Sequence, residues 1–303
     1  MRGRTLNCHK IIIGPEYRMK EIGTTLTFLE PAASGINAPW YARLGEREFG
    51  YFKNCSGTDR TMEELEFVLA LLGKQLGVSM ADTHLILDEK NQKLGSFSVE
   101  VAGKGERFYT ADEIKKEWIR KQTSIPDWAL RADEIYRSHP KIEPMPDYRF
   151  SCIDDADVLC EVIRFVYYLL SEEGKWDLSQ AFTDMVLFDG LIRQKDRTMG
   201  NFGIIKGDDG TVKMAALFDS ATITMPGLEE SKNGFCNVLT NRAALARAIR
   251  TLFPKEYMSF VGRLGDFAGS ESVLFETVCR QVLPPDSCKK LIDRLSWREI
   301  YNT

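Results

Sequence analysis

Asp196, Asn201 and Asp219 have the residue types and spacing for metal-assisted phosphoryl transfer. The stretch Gln194-Lys195-Asp196-Arg197-Thr198-Met199-Gly200-Asn201-Phe202-Gly203 sets an aspartate five residues before an asparagine, at the end of an apolar run. A second aspartate follows in Ala216-Leu217-Phe218-Asp219-Ser220. Moving the terminal phosphoryl group of ATP uses such a set. One carboxylate orients the attacking hydroxyl, while an amide oxygen and another carboxylate hold magnesium on the phosphates. The competing structural reading is a helix C-terminal turn, with Gly200 as cap and Arg197 favoured by the helix dipole. Asp219 could likewise serve only as a turn cap. The D-x(4)-N pattern alone is common by chance, but its combination with a trailing aspartate is much rarer.

Lys53 ends the run Phe49-Gly50-Tyr51-Phe52-Lys53. An ammonium at the end of an apolar strand suits the α- and β-phosphates of a nucleotide, given a carboxylate to hold it. Glu66 and Glu64 are the rival partners in the following helix. Ser34-Gly35-Ile36-Asn37 falls where a phosphate-covering loop would lie, and its small residues let backbone amides approach an anion. The same residues make any turn. Glu100 and Ala102, at the end of the last strand of the first half, are placed to meet an adenine through their backbone.

The elements that must position these residues change in kind along the chain. Thr24–Leu29, Trp40–Leu44, Phe49–Lys53, His84–Asp88 and Leu94–Val101 read as strands. Leu65, Val68, Leu69, Leu72 and Leu76 recur at helical spacing within Thr61–Leu76, which Gly77 would end. Ala102-Gly103-Lys104-Gly105 is a small-residue break. Beyond it, helices are predicted over Ala111–Lys121, Asp155–Leu170, Leu178–Leu191, Asn241–Thr251, Lys255–Leu264 and Glu271–Leu283, with Pro284-Pro285 before a last one. Residues 122–150 read as loop with short helices. Asn201–Ile205 and Lys213–Phe218 read as strands around a turn at Gly207-Asp208-Asp209-Gly210, a hairpin that would return Asp219 to Asn201. The expected class is α+β in two domains: a β-rich N-lobe over residues 1–103 with one helix, and a mainly helical C-lobe over 104–303.

Composition excludes several alternatives. The chain has 303 residues, 44% of them hydrophobic and 28% charged, as in an ordinary globular protein. A net charge of -4 gives no basic excess for a nucleic-acid partner. The seven cysteines are dispersed with no CxxC pair, and the three histidines form no HExxH pattern, so neither a disulfide framework nor a zinc centre is expected. No apolar run is long enough to span a membrane, and Ile11-Ile12-Ile13 is too short for a signal-peptide core, which makes a cytoplasmic location the expectation.

With these residues in place, the sequence resembles the HipA-like family of bacterial serine/threonine kinases, nearest to its cell-translocating (CtkA) type. That branch also resembles phosphatidylinositol kinases in fold. The family motif runs D-R-H-x-x-N-x-G, then a hairpin and an aspartate; Asp196, Arg197, Asn201, Gly203 and Asp219 match it. Lys53 matches the family's strand lysine, and Glu66, ahead of Leu76-Gly77-Val78, its helix glutamate. The resemblance spans residues 34 to 221. It implies a bilobed protein-kinase-like fold, ATP and Mg2+ as cofactors, Asp196 as catalytic base, and Asn201 and Asp219 as metal ligands. The implied activity is an ATP-dependent protein serine/threonine kinase capable of autophosphorylation, with Ser34 as one acceptor. The same core could serve a lipid or small-molecule kinase, or a pseudokinase binding module. Thr198 stands at the family's histidine and Gln194 where asparagine is common. No full-length HipA N-terminal extension precedes the motif, so a DNA-bound antitoxin complex is not expected.

Overall fold

The structure is a computed structural model and describes residues 2–13, 19–32, 39–54, 61–121, 156–192, 194, 197, 199–220, 242–270 and 272–294. The chain forms two compact units. The first comprises Met1–Gln75, Met80–Val101 and Gly269–Arg294; the second contains Leu76–Ser79 and Ala102–Ala268.

The first unit is built on six strands: β1 (Thr5–Ile13), β2 (Met19–Pro31), β3 (Trp40–Leu44), β4 (Glu48–Asn54), β5 (Thr83–Leu87) and β6 (Lys93–Val99). They close into an antiparallel barrel in the order β1-β2-β3-β4-β6-β5. Side chains alternate across a strand, so every second residue points inward. Cys8, Leu26, Phe28, Ala42, Leu44, Phe52, Ile86 and Phe97 fill the interior, and Phe28 meets Trp40 and Phe52 edge-on. The same alternation puts Lys10, Glu48 and His84 in the inward rows. There Lys10 Nζ lies 2.8 Å from Glu48 and His84 Nε2 lies 3.7 Å from it. Gly95 allows β6 to approach β4 behind Lys53, since a Cβ there would sit 1.9 Å from the Lys53 carbonyl oxygen.

Helix α1 (Thr61–Gln75) covers β5 and β6 from outside. It buries Leu65, Val68, Leu69 and Leu72, and Leu76 just beyond it is buried as well. Gly77 follows at φ +71, the left-handed conformation that ends a helix at low cost for glycine. Helix α7 (Ser272–Val282) packs on α1, and α8 (Pro285–Arg294) packs on α7.

The second unit carries α2 (Ala111–Lys121), α3 (Ala156–Leu170), α4 (Ser179–Ile192), α5 (Arg242–Leu252) and α6 (Pro254–Ser270), with a sheet of β7 (Glu106–Thr110), β8 (Gly203–Gly207) and β9 (Val212–Met214). Helix α4 is buried from Phe182 through Ile192, and its two buried aspartates are each paired with an arginine, Asp189 with Arg197 and Asp184 with Arg263. Gly203 admits β7, since a Cβ there would stand 1.9 Å from the Tyr109 carbonyl oxygen. Among the described residues, no helix is long and apolar enough to cross a membrane.

The structure corrects three element readings. β1 and β7 form where no strand is predicted. Both are held by distant partners: β1 by β2 and β5, β7 by β8. The strand read over Lys213–Phe218 stops at Met214, because the Leu217 N–H turns to the Ser79 carbonyl instead (2.8 Å). The loop reading of residues 122–150 lies outside the described residues.

Candidate active site

On the barrel unit, Lys53 and Glu66 form an ion pair, Nζ to Oε2 at 3.1 Å. Lys53 stands on β4 opposite Ser96 of β6, and Tyr51 opposite Ser98. Glu66 reaches down from α1 onto this outer face. It accepts hydrogen bonds from Ser96 Oγ at 3.4 Å and Ser98 Oγ at 3.2 Å. A carboxylate only 3% exposed therefore has three donors around it, as a buried charge requires. Glu64 is turned to another partner, Lys93, whose ammonium also meets the Val282 carbonyl at 3.0 Å.

In the second unit, one buried arginine organises the segment around Asn201 and Asp219. Arg197 is 3% exposed. Its Nε and Nη2 grip the Asp189 carboxylate at 2.9 and 3.0 Å. Its Nη1 donates to the carbonyls of Asn201 at 3.2 Å and Phe218 at 2.8 Å, and Nη2 also donates to Ser220 Oγ at 3.2 Å. The five guanidinium N–H groups thus all have acceptors. Asp189 sits inside α4, where burial pushes its carboxyl up and the Arg197 charge opposes that shift. The fork ties the backbone at Asn201 to the backbone just before Asp219. The result is a side-chain approach of 3.5 Å from Asn201 Nδ2 to Asp219 Oδ2.

Asp219 itself is left-handed, at φ +53. Aspartate tolerates that region better than most side chains do, but it still carries strain. Gln194 holds it there, its Nε2 donating to the Asp219 carbonyl at 2.9 Å. Gln194 thus has a defined partner. Asn201 and Asp219 offer oxygen donors, the ligand chemistry magnesium takes.

Asp196 and Thr198 lie outside the described residues, as do Ser34, Gly35 and Asn37. The Glu100 N–H donates to the Phe49 carbonyl at 2.8 Å, while its side chain accepts from Tyr41. Ala102 is half-buried at the start of the second unit's long segment. Asp189 and Ser220 were not among the sequence-predicted residues. For Asp189 the available signal was a carboxylate within an apolar helix, which demands a buried partner.

No protein-family description and no curated protein matches the chain. In fold it is similar to a proinflammatory kinase of Helicobacter pylori, CtkA, at 13% identity and a TM-score of 0.47, covering 90% of this chain and 94% of that one. It is also similar to HipA as seen in the structure of the Shewanella oneidensis MR-1 toxin–antitoxin system HipA, HipB and operator DNA, at 10% identity and a TM-score of 0.45, covering 90% of this chain and 68% of that one.

Proposed function

We propose that the chain is an ATP-dependent phosphotransferase acting on serine or threonine hydroxyls of proteins, its own included. The observation that carries this reading is the Arg197 fork. It draws Asn201 and Asp219 together to 3.5 Å and leaves Asp219 in a strained conformation. A structural turn has no need of two oxygen-donor side chains held this way, with a buried ion pair as their support.

Lys53, oriented by Glu66, steadies the α- and β-phosphates. Asn201 and Asp219 hold magnesium, which neutralises charge on the transferring phosphates. Asp196 orients the acceptor hydroxyl and takes its proton. The choice of a protein hydroxyl as acceptor rests on the resemblance of the catalytic stretch to the HipA-like kinases.

The test is incubation of the purified protein with labelled ATP and magnesium, with phosphate located by mass spectrometry on the protein and in a lysate. Asp196→Ala should lose transfer and still bind nucleotide. Full transfer by that variant would end the reading. Label on lipid or small molecules only would move the acceptor to those classes.

A further inference from the structure

The outer face of the barrel continues past Lys53 as an ordered track. Along β4, Lys53, Tyr51 and Phe49 share one face; Lys53 and Tyr51 stand opposite Ser96 and Ser98 of β6, and Phe49 is hydrogen-bonded through its carbonyl to Glu100 just beyond that strand. On β3, Tyr41 stands opposite Tyr51. Its ring lies 5.6 Å from Tyr51 and stacks at 6.3 Å on Phe49. Phe49 and Tyr51 are 40% and 42% exposed, and with Tyr41 they make one contiguous aromatic patch open to solvent. The far end is closed by the Glu100 carboxylate, whose Oε2 takes the Tyr41 hydroxyl hydrogen bond at 2.9 Å. Burial and that carboxylate push the Tyr41 phenol up to about 12, so it stays a donor.

Strand rise sets the scale. Tyr51 is about 6.7 Å and Phe49 about 13 Å along the strand from Lys53. A nucleoside covers that interval between its phosphate and the far edge of its base. The Glu100 main-chain N–H is already taken by Phe49 and its Oε2 by Tyr41, so a ligand's donor would meet the other carboxylate oxygen. A carboxylate at a base edge favours an amino group and repels a ring nitrogen lone pair or carbonyl.

We propose that Tyr51, flanked by Tyr41 and Phe49, is the stacking platform for the base of the bound nucleotide, and that Glu100 reads the base's exocyclic amine. The inference rests on the proposed phosphate role of Lys53. It names the residues that choose an amino-purine, a choice that the phosphate and metal residues cannot make.

Calorimetric titration of the full chain, with magnesium present, separates the two ideas. The probes are a non-hydrolysable ATP analogue, the matching triphosphate of purine riboside (which lacks the 6-amino group) and inorganic tripolyphosphate. Tyr51→Leu should weaken the ATP analogue about tenfold, the scale of one base–aromatic stack, and leave tripolyphosphate unchanged. Tyr51→Phe, which keeps the ring, should bind as the parent does. The parent should prefer the ATP analogue over the purine riboside triphosphate by about tenfold or more, the scale of one hydrogen bond to a charged group, and Glu100→Gln should remove most of that preference. If Tyr51→Leu weakens both probes equally or neither, the platform is wrong while the nucleotide reading stands. If the parent binds neither the ATP analogue nor tripolyphosphate, both fall.

Discussion

Arg197 and Asp189 form a two-point ion pair at 2.9 and 3.0 Å inside the second unit, eight residues apart in sequence. The Arg197 Nη1 donors hold the main chain at Asn201 and Phe218. Asp189→Ala would leave the guanidinium buried with two of its five hydrogen bonds and its counter-charge gone. The expected loss is about 3–5 kcal/mol of stability, read from urea unfolding. Arg197→Lys keeps the charge but cannot supply a planar fork to several acceptors. It should raise the magnesium concentration for half-maximal transfer by about tenfold, in line with lost support behind metal ligands. A purely structural arginine would lower stability without moving that midpoint.

Asp219 offers a separation of fold from chemistry. At φ +53, asparagine is as well tolerated as aspartate. Asp219→Asn should therefore melt within about 1 kcal/mol of the parent, as substitutions without a named structural defect do, and lose phosphoryl transfer. Asp219→Gly should relieve a backbone cost of about 1–2 kcal/mol and melt higher, again without transfer. Retained transfer in the asparagine variant would remove Asp219 from the metal site.

Much of the local structure was legible from periodicity. Ala111–Lys121 and Trp40–Leu44 run as read, and the leucine spacing of α1 places its buried face. What escaped was set by distant partners. β1 reads as polar because its inward row runs from Leu6 and Cys8 into Lys10, and the Glu48 carboxylate from β4 makes a lysine acceptable there. β7 is five residues long and pairs with β8, nearly a hundred residues away, so no local pattern marks it. In the candidate site, the spacing pointed to Asn201 and Asp219. It could not show the fork between them, since a hydrogen bond from Arg197 to a carbonyl leaves no trace in residue types. Glu66 and Glu64 were equal rivals by spacing, and the strand register decides between them as partners of Lys53.

His84 gives the barrel a pH dependence. Burial pushes its imidazole below the ordinary value of 6.5, with the Glu48 carboxylate opposing that shift and Lys10 adding to it. Asp82 and Lys74 act more weakly, in opposite senses. A depressed folded-state pKa means the unfolded chain takes up the proton first. Stability from this residue is therefore full above pH 6.5 and falls as pH drops through the lowered value, by at most about 1.4 kcal/mol per pH unit. Melting curves of the parent at several values from pH 7.5 to pH 5 should fall more steeply than those of His84→Gln. Parallel curves would show that the imidazole does not titrate between the two states.

The Lys53–Glu66 pair can be tested against its own neighbour. Lys53→Ala should reduce transfer by at least about a hundredfold, the scale for losing one preorganised charge at a phosphoryl site. It should also destabilise the fold by about 1–3 kcal/mol, because the buried Glu66 carboxylate would lose a charged partner. Glu66→Gln should lower transfer with a smaller loss of stability, since a neutral amide costs less to bury and can still face Ser96 and Ser98. Glu64→Gln is the control. It sits one step away on the same helix and answers to Lys93, so it should weaken the packing of α1 and leave transfer near the parent level. Steady-state transfer rates set beside unfolding free energies for the three variants would separate the roles. If Glu64→Gln lost as much transfer as Glu66→Gln at equal stability, the lysine's orientation would depend on the helix as a whole rather than on the 3.1 Å contact with Glu66.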